Sequence, residues 1–197
     1  KNSLAFLKPT KDFFVGSSSE NVSCKKNQSQ NFNEKYLKAQ KVFNKYNDDF
    51  FRKIKLKYIV LCSELEIAGI PALGFANPEM KTLIFNINTN NSNFERVLHH
   101  EVFHIIEHNF NKYFLNISWS DLNSKEFKYS ACSTCSNNYS LEKIYNSKGF
   151  VSEYAKSTIS EDMAETFSFM MSDNNLILDM INKDAVSYTH LTLPTNA

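Results

Sequence analysis

Val97-Leu98-His99-His100-Glu101-Val102-Phe103-His104-Ile105-Ile106 is the stretch on which the reading of this chain turns. His100 and His104 stand four residues apart, and Glu101 directly follows the first of them. On an α-helix, positions i and i+4 share one face a turn apart, so both imidazoles can reach a single metal ion. Glu101 is less than half a turn from either histidine and can reach a metal-held water without displacing a ligand. The spacing predicts a helix from about Phe94 to Asn109, in which Phe94, Leu98, Val102, Ile105 and Ile106 share an arc about 120° wide at ~100° per residue. His100 and His104 flank that arc, Val97 lies beside them and Phe103 on the far side. A helix apolar over most of its circumference is buried, so its histidines and glutamate need partners. Two readings follow: core histidines satisfied by backbone carbonyls, or half of a metal site. A third ligand decides between them.

Working outward, the 197 residues match the size of one domain and suffice for a core. Apolar residues make up 42%, with 17 Phe and 9 Tyr, which excludes a disordered chain. The 22 basic and 21 acidic side chains nearly cancel, which argues against nucleic acid or an anionic membrane surface as the main partner. No apolar run approaches the length of a membrane span. The chain begins at Lys1 with no signal-peptide core, so the true N-terminus and any export signal are expected to be missing. Cys132 and Cys135 form a CxxC, and Cys24 and Cys62 stand alone. One CxxC without a second pair is a weak zinc signal and leaves free thiols or a local disulfide open.

Residues 1–31 are mixed and polar, with Gly16-Ser-Ser-Ser19 as a joint, and read as a poorly specified lead-in. Phe32, Tyr36, Phe43, Tyr46 and Phe50 predict one amphipathic helix from Phe32 to about Ile54. Lys57-Tyr-Ile-Val-Leu-Cys62 and Thr82-Leu-Ile-Phe-Asn-Ile87 read as strands, with a turn region at Gly69–Gly74 and Asn77-Pro78 between them. Residues 110–150 are polar and irregular and carry Trp119. That is long for a connection, so short elements or a lid-like excursion are expected there. Helices are predicted at about Ser160–Ser172 and Asn175–Asn182. The domain proper is read as 32–184. Residues 185–197 resemble a translated adapter sequence and are set aside as a non-native tail, His190 included.

A catalytic zinc site has three protein ligands and an open position for water. The metzincin extension fails, because its Gly and His places hold Glu107 and Phe110. His108 lies a further turn on, and three successive i, i+4 positions on a straight helix cannot all bend toward one tetrahedral ion. The helix at 160–172 carries a stripe of Glu161, Glu165, Ser168 and Ser172 on an otherwise apolar surface. That stripe can face solvent or a site. Thr158-Ile-Ser-Glu161 is also a capping box, which would give Glu161 a purely local role. The local pattern leaves the choice open.

Phe150-Val-Ser-Glu-Tyr-Ala155 followed by Glu161-Asp-Met-Ala-Glu165 resembles the second signature of HExxH-plus-Glu, gluzincin-type metallopeptidases. The resemblance is to the group of the anthrax lethal factor catalytic domain and the Pro-Pro endopeptidases, and to bacterial zinc-binding metallopeptidases with a Trp-containing segment between the helices. It covers roughly residues 80–175. In that group a Tyr precedes the Glu ligand by seven residues, as Tyr154 precedes Glu161, and the ligand opens an E-x-x-A-E helix. The resemblance implies one catalytic Zn2+ held by His100, His104 and Glu161. It also implies Tyr154 as donor to the oxyanion, and Glu165 as an outer acceptor for a ligating imidazole. Glu101 would act as general base on zinc-bound water.

The fold implied is α+β and zincin-like: a small mixed sheet with an edge strand over a central HExxH helix, and a second, ligand-bearing helix. The strand Thr82–Ile87 is expected to be that edge and to pair with an extended peptide or protein substrate. The function implied is hydrolysis of peptide bonds. The alternatives are a non-catalytic zinc-stabilised binding module and a metal-free helical domain with core histidines. The resemblance leans toward a bacterial extracellular or cell-envelope location.

Overall fold

A computed structural model describes residues 4–17, 21–26, 31–47, 49–114, 119–134 and 149–183. The residues form two compact units, Lys1–Asn109 and Phe110–Ala197. The fold is α+β, with two four-stranded sheets and six α-helices among the described residues.

The first unit has three layers. Its central sheet runs β1 (Ala5–Leu7), β4 (Tyr58–Cys62), β8 (Thr82–Asn86), β7 (Gly74–Asn77). The first three strands are parallel and β7 is antiparallel to β8. β4 is apolar at successive positions because it is covered on both sides, as parallel strands are. Ile59 and Leu61 are in register with Leu83 and Phe85 and share one face. That face meets helices α1 (Phe32–Phe43), α2 (Phe50–Lys53) and α3 (Asn91–Asn109) through contacts such as Phe43–Phe85 and Phe85–Phe94. Val60, Cys62 and Ile84 point the other way and pack with Val22, Cys24 and Leu65 of a second, antiparallel sheet. That sheet has the order β2 (Phe13–Val15), β3 (Val22–Cys24), β5 (Leu65–Ile67), β6 (Ile70–Pro71). A disulfide between Cys24 and Cys62 ties the two sheets together.

α3 is fixed at both ends. Asn90 accepts the amide of Asn93 at 2.9 Å as an N-cap. Lys35 is buried against this end, donating to the Thr89 carbonyl and lying 4.7 Å from the Phe94 ring centroid. At the other end Asn109 donates to the carbonyl of Ile54 at 3.1 Å.

The second unit contains α4 (Asn111–Phe114), 3-10 turns at Trp119–Leu122 and Tyr154–Lys156, α5 (Ile159–Ser172) and α6 (Asn174–Lys183). Its core is Phe150, Val151, Ala155, Phe169, Leu176, Ile177 and Met180, with Phe127 and Tyr129 packed against them. No helix among the described residues is long and apolar enough to cross a membrane.

Several expectations change. The helix expected over 32–54 is broken, because the chain turns between Phe43 and Phe50 so that Tyr46, Phe50 and Phe51 can stack on one another. Three strands lie within residues 1–31, which composition had cast as a lead-in. The stretch read as a turn region holds β6 and β7, with Ala68 and Gly69 both at positive φ in the hairpin turn before β6. The strand at Thr82–Asn86 is internal, between β4 and β7, so β7 and not β8 is the outer strand on that side among the described residues. Cys24 and Cys62 are a pair, and Cys132 is also disulfide-bonded. Cys135 and the tail at 185–197 lie outside the described residues.

The Cys24–Cys62 bridge closes a separation of 38 residues, and a disulfide of this kind typically contributes about 2–4 kcal/mol. Replacing both cysteines with alanine is expected to lower the unfolding free energy in urea by that amount. A loss under about 1 kcal/mol would mean that sheet packing alone holds the layers.

Candidate metal centre

α3 places its polar residues in the interior. His99, His100 and Glu101 are buried, and His104 is half-buried. The Nε2 atoms of His100 and His104 are 3.1 Å apart, and their rings meet edge to face. Two nitrogens bound to one tetrahedral zinc at about 2.0–2.1 Å would be separated by about 3.3 Å, so the pair has the right bite. The Nδ1 atom of His104 is 3.5 Å from Glu107 Oε2, one turn along the helix. Such a carboxylate fixes the imidazole's tautomer and orientation. Glu107 entered the sequence reading only as the residue that rules out the metzincin extension. Its i+3 placement from His104 was the available signal.

In the second unit, α5 begins at Thr158, whose extended backbone and hydroxyl cap the helix by accepting the Glu161 amide at 3.2 Å. The capping interaction uses Glu161's backbone amide and not its carboxylate. His100, His104 and Glu161 each offer a ligand atom, and these atoms all lie within 4.8 Å of one another. Two imidazoles and a carboxylate are a zinc-type donor set, so this cluster can bind a metal ion. His108 is exposed and does not belong to it.

The acidic stripe of α5 faces inward. Glu165 is 1% exposed and Ser168 is fully buried. Glu165 Oε2 accepts the Ser152 hydroxyl at 2.6 Å, and Ser152 Oγ in turn accepts the amide of Ala155 at 3.1 Å. These bonds tie α5 to the 3-10 turn on which Tyr154, half-buried, is carried. Asp162 is completely buried and accepts both Trp119 Nε1–H at 2.8 Å and the Tyr129 hydroxyl at 2.6 Å. Burial raises the Asp162 carboxyl to about 7 against the lowering effect of those two donors. Burial and the Asp162 charge likewise push the Tyr129 hydroxyl up. This network escaped the sequence reading, because Trp119 and Tyr129 lie 33 or more residues from Asp162 in an irregular stretch.

The sequence profile of a family described as "Putative zinc-binding metallo-peptidase" matches residues 26–192. No curated protein and no solved structure matches the chain significantly.

His99, next to the first ligand candidate, has a different role. Its Nδ1 is 2.5 Å from the Tyr46 hydroxyl, and the ring is fully buried. Burial first, and then the Lys45 charge, lower it from 6.5 to about 4. The folded state therefore holds His99 neutral where the unfolded chain would protonate it. Its contribution to stability is complete above pH 6.5 and is lost as pH falls toward 4. Asp162, raised from 3.8, acts oppositely, losing stability as pH rises through about 7, so the His99 effect is read as a difference between proteins. Wild type is expected to lose stability relative to His99→Gln between pH 6.5 and 4, measured by urea midpoints. Parallel pH profiles would contradict it.

Proposed function

Because the chain belongs to this family of zinc-binding metallopeptidases, we propose that it hydrolyses peptide bonds with one zinc ion held by His100, His104 and Glu161. The observation that carries this reading is the convergence of those three side chains, from two separate helices, within 4.8 Å. Zinc held there would polarise the scissile carbonyl and bring the pKa of a water in its open position to about 7. Glu101 takes the proton of the attacking water and later delivers it to the leaving amine, as general base and then general acid. Its burial on the same helix as the two histidines supports that role. Tyr154 donates its hydroxyl to the tetrahedral oxyanion. The hydrogen bonds from Ser152 to Glu165 and from Ala155 to Ser152 support a fixed position for its turn. Glu107 orients His104, and Glu165 serves as an outer acceptor in the gluzincin manner.

The substrate is an extended peptide. β7 is the outer strand of its sheet among the described residues and packs against α3, which supports strand addition to β7 as the mode of binding. Disulfide bonding at Cys24–Cys62 and at Cys132 supports an extracellular or cell-envelope compartment, where such bonds persist.

A peptide-library digest tests the chemistry. Glu101→Gln is expected to lower kcat by about 10²–10⁴-fold, the usual contribution of a positioned acid–base group. Tyr154→Phe is expected to lower it about 10²-fold with little change in KM. Unchanged hydrolysis by Glu101→Gln would overturn the mechanism, and an inactive wild type with a full complement of zinc would point to a non-catalytic module.

A further inference from the structure

Gly74 opens β7, and three of the chain's four glycines differ from it in one respect. Gly16, Gly69 and Gly149 adopt positive φ, where a side chain is strained, whereas Gly74 does not. Its strand backbone would accept any residue. The reason for glycine here is space. A β-carbon at position 74 would lie 2.6 Å from Glu101 Cγ, 2.7 Å from Oε1 and 2.9 Å from Cδ. Real carbon contacts do not come that close, so one group must yield. The three nearest atoms all belong to the Glu101 side chain.

We propose that Gly74 is a positioning residue for the Glu101 carboxylate: the missing side chain on β7 is the recess in which the base is held. This rests on the reading of Glu101 as general base. The packing itself stands without it. Glu101 is 8% exposed, with α3 behind it and β7 in front, so its carboxylate has few alternative resting places. A methyl group at position 74 displaces the carboxylate by roughly the overlap it creates, on the order of 1 Å, and a misplacement of that size costs about 10²-fold in rate. The same recess lies in the strand assigned to peptide binding. Gly74 therefore brings substrate backbone and base to the same place.

The test is a cycle of wild type, Gly74→Ala, Glu101→Ala and the double variant, with thermal melting and zinc content measured on all four. kcat and KM are measured on the first two. Gly74→Ala is expected to lower kcat by about 10–10²-fold while KM and zinc content stay near wild type. Any fall in Tm that Gly74→Ala causes is expected to vanish when Glu101→Ala has already removed Cγ, Cδ and Oε1. A kcat within threefold of wild type overturns the proposal. So does a fall in Tm of equal size in both backgrounds, since the added methyl would then be striking something other than Glu101. If Glu101→Gln leaves hydrolysis intact, the catalytic reading fails separately, and the Tm coupling between positions 74 and 101 still reports on the packing.

Discussion

Everything about this protein follows from one helix being buried around most of its circumference while carrying a histidine pair and a glutamate. A polar group removed from water without a partner costs several kcal/mol, and an unpaired charge far more. α3 resolves the cost in three ways along six residues. His99 is held neutral against Tyr46. His100 and His104 turn their Nε2 atoms toward each other, an arrangement that a shared cation would stabilise. Glu101 lies in the recess left by the glycine of the neighbouring strand.

The surrounding layers make that helix rigid. β7 and β8 pack against it, with Phe85 on Phe94, and the second sheet backs the central one through the Cys24–Cys62 bridge. Caps at Asn90 and Asn109 fix the helix ends. α5 is anchored within its own unit by a buried aspartate with two aromatic donors and by the Ser152–Glu165 bond. Sites carried on helices hold their geometry better than sites on loops, and both segments that carry the candidate ligands are helices.

The helices α3, α5 and α6 and the two long central strands were legible because their signals are local. Helical periodicity marks α3, α5 and α6, and β-branched and aromatic runs mark β4 and β8. The His-x-x-x-His spacing picks out one pair of candidate donors from the same periodicity. Glu161 was ambiguous for a physical reason: a carboxylate in the first turn of a capped helix looks the same whether it serves the helix or a metal. The short strands β1, β2, β3, β5, β6 and β7 were not legible, since two to four residues cannot show an alternation. Nor was it legible that β8 would be interior, because strand order depends on non-local pairing. The cysteine pair and the role of Gly74 depend on the same kind of contact. Sequence can place a glycine, but only the neighbouring side chain reveals that it is needed for space.

The most direct test is the zinc content of the purified protein beside that of Glu161→Ala. One zinc per wild-type chain and a clearly substoichiometric content in the variant would establish Glu161 as the third ligand to a metal shared with His100 and His104. No zinc in the wild type, or equal zinc in both proteins, would contradict it.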